Sequence, residues 1–232
     1  SRLSSPPPLP VTGGPVVTML AGSLDEWLPS FRNLEERVAD AVEAAWPGCV
    51  APLQSKKNVL ENEITKHLVN SLIRAKKVNK VPGRFSYQHA LLAEDVGGNV
   101  SAPSNIDFVL IIGDDEDVYL ACECKRLNVP YGKRVRALSG EYVDEGLMRF
   151  VTGQYSRGLP LAMMLGYVMD AQTVAAKNSV AQTLKKRSSA IGLQSADYPN
   201  VVSGRPVRFF TTHTCASSGS AIEVTHTLLA WP

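Results

Sequence analysis

The patterning of this chain predicts a mixed α/β fold, a β-sheet flanked by helices, from three observations. Two early segments carry apolar residues at three- and four-residue steps, the middle of the chain alternates with period two, and "LPLAMMLGYVMD" is apolar almost throughout, as a strand covered on both faces must be. A single domain over residues 24–232 is expected. The 23 residues before it are rich in Pro, Ser and Gly, a composition that builds no packed core and reads as a tail.

The elements follow in order. From Leu24, the residues Trp27, Leu28, Phe31, Leu34, Val38 and Val42 trace one helical stripe, with Pro47 and Gly48 as stop signals. A second helix lies within "SKKNVLENEITKHLVNSLIRAKK", with Ser55 or Asn58 as its cap and Leu60, Ile64, Leu68, Leu72 and Ile73 as its apolar face. "GRFSYQHALLA" reads as a strand. "IDFVLII" and "VYLACECKRL" flank the turn "GDDED" as an antiparallel hairpin. A helix from about Val143 to Ser156 comes next, then the apolar strand, a polar helix over about Ala171 to Lys186, and a loop from Ile191 to Gly204. "PVRFFTTHTC" and "AIEVTHTLLAW" close the chain as a hairpin across "ASSGS".

Composition excludes several classes. Twenty-four Lys and Arg against 22 Asp and Glu give a net charge of +2, so any basic surface for a polyanion must be local. No run of 18 apolar residues predicts a membrane span, and the start lacks the basic-then-apolar order of a signal peptide. A soluble, cytoplasmic protein is expected. Cys49, Cys122, Cys124 and Cys215 have no zinc spacing and fit free buried thiols. No heptad or apolar patch marks an interface between copies, which leaves a homo-oligomer open.

The chemistry is concentrated in "SNIDFVLIIGDDEDVYLACECKRLN". Glu123 and Lys125 are two apart in a strand and share a face, about 6.7 Å from each other. Asp107 sits in the partner strand and joins that face if it registers with 123 or 125, which requires an odd-numbered loop or one bulge. Buried charges are costly unless something compensates them. A divalent cation between two carboxylates would do so, and all-oxygen ligands select Mg²⁺, with Mn²⁺ as a substitute. Such an ion activates water and polarises a phosphoryl oxygen, with Lys125 placed to orient the water or neutralise developing charge. The competing account is a structural trio in which Lys125 serves only as a counter-charge.

These residues resemble the PD-(D/E)xK nuclease superfamily, whose fold is restriction-endonuclease-like. The resemblance runs from about Val59 to Asp170. Asp107 takes the Asp position, Glu123-Cys124-Lys125 takes the ExK tripeptide, and "ENEITKHL" resembles the preceding Glu-bearing helix. It implies Asp107, Glu123, the Cys124 carbonyl and Glu63 as metal ligands and Lys125 at the water. Glu63 is the better match in that helix because it directly precedes Ile64, and Glu61 is the alternative. The implied activity is Mg²⁺-dependent hydrolysis of phosphodiester bonds in DNA, in a role akin to host defence against foreign DNA. An RNA nuclease and a non-cutting module that binds nucleic acid or a protein partner are the other readings.

On the helix after ExK, Arg149, Gln154, Tyr155 and Arg157 are candidates, with Gln154 preferred as site support. Arg126, Lys133, Arg134 and Arg136 form the densest basic run and are expected to grip a nucleic-acid backbone from a loop. His213 and His226 should lie close together in the final hairpin, in cross-strand packing or an unrelated surface role and not as a zinc site, and "GDDED" should be only a turn.

Overall fold

The computed structural model describes residues 24–56, 58–76, 80–94, 100–112, 118–155, 159–202 and 205–232; side chains are described from 34 onward, excepting 92–94 and 100–103. The proposed tail, Trp27, Leu28 and Phe31 of the first helical stripe, the "GDDED" turn and Arg157 lie outside those described parts. A seven-stranded mixed sheet forms the centre, in the order β1-β2-β3-β6-β9-β8-β7. Its strands are β1 Arg84–Glu94, β2 Val100–Ile111, β3 Tyr119–Leu127, β6 Leu161–Val168, β7 Leu193–Asp197, β8 Val207–Thr214 and β9 Ala221–Ala230. The central three, β3, β6 and β9, are parallel, and both flanks are antiparallel. β6 is buried along its whole length, as its unbroken apolar sequence requires.

Helices cover both faces. On one face α1 (Leu24–Val50) and α2 (Glu61–Ala75) bury Val38, Val42, Ile64 and Leu68 against Phe108, Cys122 and Cys124. On the other, a composite helix and α5 (Thr173–Lys186) bury Tyr142, Phe150 and Val180 against Val109, Ala121 and Met164. All four cysteines are free and buried. No helix among the described residues is long and apolar enough to cross a membrane.

Several boundaries differ from expectation. α1 continues past Pro47 to Val50, because Cys49 and Val50 are buried and core packing overrides the stop signal. α2 starts at Glu61 and not at a Ser55 or Asn58 cap; Leu60 stands at the cap position in extended geometry, which turns its side chain to solvent, and Ile73 is exposed as well. The expected helix 143–156 is α3 (Ser139–Glu141), a π-helical stretch (Tyr142–Leu147) and α4 (Met148–Val151), after which the chain turns. The expected loop 191–204 contains β7, whose "LQSAD" sequence carries no apolar alternation because it is an exposed edge strand. The basic run is not a loop but a two-stranded ribbon, β4 (Val129–Tyr131) paired with β5 (Arg134–Arg136).

Candidate functional site

The site forms where β2 and β3 part. Their ladder pairs Phe108 with Cys122, Val109 with Ala121, Leu110 with Leu120 and Ile111 with Tyr119, and the Ile112 N–H donates to the Val118 carbonyl. This register has the odd-numbered interval that puts Asp107 opposite Glu123, on the same face as Lys125. The ladder itself ends at Phe108 and Cys122, and from there the edge of β3 toward β2 is open. Two carboxylates complete it. The Cys124 N–H donates to Asp107 Oδ2 at 2.7 Å, and the Arg126 N–H donates to Glu61 Oε2 at 2.8 Å. Both bonds satisfy strand donors that β2 no longer reaches.

Lys125 projects into this opening. Its Nζ donates to Glu123 Oε1 at 2.6 Å, to Glu61 Oε1 at 3.3 Å and to the Cys124 carbonyl at 3.2 Å. Glu123 is fully buried and also faces Arg149 Nη1 at 3.5 Å, while its second oxygen, Oε2, is buried without a hydrogen-bond partner. Arg149 reaches the site because Gly146, one turn earlier, lets the π-helical backbone lie against β3 and β6. A Cβ there would meet Met164 Cε at 2.6 Å and the Lys125 stem at 3.4 Å. Tyr155 fixes the guanidinium: Arg149 donates to its hydroxyl and sits 5.2 Å from its ring centroid. Tyr155 Oη in turn donates to the Asn105 carbonyl at 2.6 Å, and its own carbonyl accepts from Tyr119 Oη at 2.7 Å.

The electrostatics follow from three carboxylates gathered around two cations. Burial raises the Glu123 carboxyl to about 8, Asp107 adds to the rise, and Lys125 and Arg149 only partly offset it. Asp107 is also raised, by burial first, against the lowering effect of its bond from Cys124. For Lys125 burial acts downward, yet Glu123 and Glu61 outweigh it and hold the amine above its ordinary value. Lys125 is therefore an ammonium at any physiological pH, a donor and not a base.

Not all the expected residues converge. Glu63 turns away to an exposed pairing with Lys56, and Glu61 takes the place beside Lys125. The helix geometry gives the reason. Glu61 lies three and four residues before the buried Ile64 and Thr65, on the core-facing stripe, whereas Glu63 is adjacent to Ile64 in sequence and so rotated away from it. Thr65 fixes that first turn, donating to the Glu61 carbonyl at 3.0 Å and lying 3.0 Å from Tyr167 Oη of β6. Gln154 is exposed in the turn after α4 and takes no part, since the helix that was to carry it has ended at Val151. Arg149 and Tyr155, its neighbours in the same candidate group, occupy the site instead. The Arg126 guanidinium donates to the Val59 carbonyl at 3.1 Å, while Lys133, Arg134 and Arg136 are exposed on the ribbon.

Among the described residues no group of three or more His, Cys, Asp or Glu side chains is arranged to hold a metal ion. The donor set nevertheless fits Mg²⁺, which keeps several waters and commonly takes one or two protein carboxylates with substrate oxygens. Asp107 and Glu123 supply two carboxylates on one face, and the unpartnered Glu123 Oε2 is the buried acceptor that such an ion would satisfy. The Cys124 carbonyl faces the same opening but already accepts from Lys125.

His213 and His226 are not a surface pair. Both are buried, linked through Thr211 Oγ1, which lies 2.7 Å from His213 Nε2 and 2.8 Å from His226 Nε2. The chain of bonds extends from Tyr142 Oη to His226 Nδ1 at one end and from His213 Nδ1 to the Ile191 carbonyl at the other. A carbonyl only accepts, so His213 donates from Nδ1. Neutral rings then fix every other direction: Thr211 donates to His213, His226 donates from Nε2 to Thr211, and Tyr142 donates to His226.

No family model, curated protein or solved structure matches this chain. The class that the structure defines is a mixed α/β protein with a helix-flanked seven-stranded sheet and a carboxylate–lysine cluster at its opened strand edge.

Proposed function

We propose that this chain is a Mg²⁺-dependent nuclease of the restriction-endonuclease-like fold that hydrolyses phosphodiester bonds in DNA. The observation that carries the reading is the fully buried Glu123, with one oxygen unpartnered, on the same sheet face as Asp107 and Lys125. A buried carboxylate is normally satisfied on both oxygens, and leaving one bare beside a second carboxylate is costly unless a ligand completes the site. Asp107 and Glu123 would hold the metal, which supplies Lewis-acid charge and a more acidic bound water. Lys125, fixed as an ammonium, presents positive charge where phosphate charge develops. Arg149, over one-third exposed and braced by Tyr155, offers a second cation to a phosphate oxygen.

The second reading, a module that binds without cutting, is favoured by one feature: the Lys125 ammonium already bridges Glu123 and Glu61, as a structural counter-charge would. Incubation of the protein with supercoiled DNA, linear DNA and a matched RNA in Mg²⁺, Mn²⁺ or EDTA separates them. Metal-dependent cleavage of DNA that Asp107→Asn abolishes is the expected result. Cleavage of RNA alone would move the substrate class, and no cleavage under any metal would hand the site to the structural reading.

A further inference from the structure

Immediately after the site strand, the chain makes a small exposed excursion. The Asn128 N–H donates to the Ala137 carbonyl at 3.1 Å and closes its base, β4 pairs with β5, and Gly132, at φ 60, supports the turn between them. Residues 130–136 are all exposed, and Tyr131 is 72% so. The pairing places side chains. Tyr131 lies opposite Arg134 and Val129 opposite Arg136, so both guanidiniums share one face with the tyrosine, while Pro130 and Val135 occupy the other. Lys133 stands at the turn.

A tyrosine this exposed buries little apolar surface within its own chain. Among the described residues Lys133 and Arg134 form no ion pair, and Arg136 meets Glu141 at 3.4 Å in an exposed, solvent-screened contact, which a phosphate can outcompete. One flat aromatic ring among cations is complementary to a polyanion that also offers flat apolar faces. Unpaired nucleotides have both, whereas a duplex hides its base faces in the stack. Val129 is the fourth residue after Lys125, at most about 14 Å of chain away, so one bound strand can meet both.

We propose that the β4–β5 ribbon docks single-stranded nucleic acid, with Tyr131 as the stacking platform for a base and Lys133, Arg134 and Arg136 as phosphate contacts. This rests on the nuclease reading for its account of why such a surface adjoins Lys125. It directs that activity toward strands with an unpaired segment, such as overhangs, flaps or single strands.

The test is binding without cleavage: fluorescence anisotropy of a labelled oligonucleotide in EDTA, single-stranded or annealed to its complement, across a salt series. Tyr131→Ala should weaken single-strand binding about tenfold or more and leave duplex binding within about twofold, and Tyr131→Phe should retain the parent affinity. Replacing Lys133 and Arg134 with Ala should flatten the single-strand salt slope by about 1.4, for two lost phosphate contacts. An unchanged single-strand affinity in Tyr131→Ala, or an equal loss on duplex, would overturn the assignment. The two proposals fail separately. A protein that cuts DNA with Mg²⁺ but binds single strands indifferently to Tyr131 refutes the ribbon alone, whereas one that binds in the expected pattern and cuts nothing refutes the nuclease and leaves the ribbon standing.

Discussion

Lys125→Met is the most informative single change, because it acts on stability and chemistry through the same contact. The substitution keeps the aliphatic stem that packs beside Gly146 and removes only the ammonium, 2.6 Å from a fully buried carboxylate. Breaking a buried pair from one side costs on the order of 3–5 kcal/mol, since the remaining charge is left uncompensated. Arg149, 3.5 Å from the same oxygen, stays as a partial partner, which places the expected loss near the lower end, at about 3 kcal/mol. In urea at pH 9, above the raised Glu123 value of about 8, that moves the midpoint down by roughly 1.5 M if m is near 2 kcal/mol/M, and the loss should shrink as pH falls below 8 and Glu123 takes up a proton. Adding Glu123→Gln removes the stranded charge, so the double variant should recover to within about 1 kcal/mol of the parent. Neither variant should cut DNA. An unchanged urea midpoint in Lys125→Met would refute the buried pair, and cleavage at the parent rate would reduce Lys125 to a counter-charge.

Other expectations follow from the same geometry. Glu61→Gln should lower cleavage at least tenfold, because it removes the second charge facing Lys125, while Glu63→Gln should leave cleavage within about twofold and stability within about 1 kcal/mol, as an exposed pair predicts; equal effects in a steady-state assay would refute this assignment. Asp107→Asn should weaken Mn²⁺ binding in calorimetric titration while Lys125→Met retains it, and identical titrations would remove Asp107 from the ligand set. Burial holds both His213 and His226 below their ordinary value, so the unfolded chain takes up protons that the native chain resists. Their contribution to stability is therefore complete above about pH 6.5 and is lost as pH drops below it, whereas the raised Glu123 and Asp107 carboxyls act in the opposite sense; in a Glu123→Gln, Asp107→Asn background, an unfolding midpoint unchanged between pH 7 and 5.5 would contradict the neutral chain. Thr211→Val strands both rings and should cost about 1–3 kcal/mol at pH 7 in the same unfolding assay.

The parts of this fold legible in the sequence were those in which burial dictates period. The two-residue period of strands over 106–111 and 119–125 fixed which residues share a face, and the unbroken apolar run fixed the central strand. The register that brings Asp107 opposite Glu123 needed only an odd interval, which the chain has. What escaped is exposed or rotated. β7 and the β4–β5 ribbon bury almost nothing, so their sequences carry no core-facing alternation. The π-helical stretch adds a residue to each hydrogen-bonded loop and shifts every later side chain from its α-helical position, and with the turn after Val151 it brings in Arg149 and leaves out Gln154. The choice between Glu61 and Glu63 was decidable by helical phase, because Glu61 shares a stripe with Ile64, Thr65 and Leu68. Adjacency to Ile64 pointed the wrong way.

The opened edge of β3 also explains why acidic side chains gather there before any ligand is invoked. A strand that loses its neighbour midway leaves donors at alternate residues, and the two at Cys124 and Arg126 are taken by Asp107 and Glu61. Those carboxylates thus have a structural task that an amide oxygen performs as well as they do. Their charge is surplus to it. Glu123 lacks even that justification, since it caps no strand donor and sits buried with one oxygen bare. A sheet edge needing only acceptors could use Asn and Gln and avoid the cost of converging negative charge. What calls for a ligand is therefore the convergence of carboxyls itself, not the hydrogen bonds around them, and amide substitutions at Asp107 and Glu61 are the ones that separate the two roles.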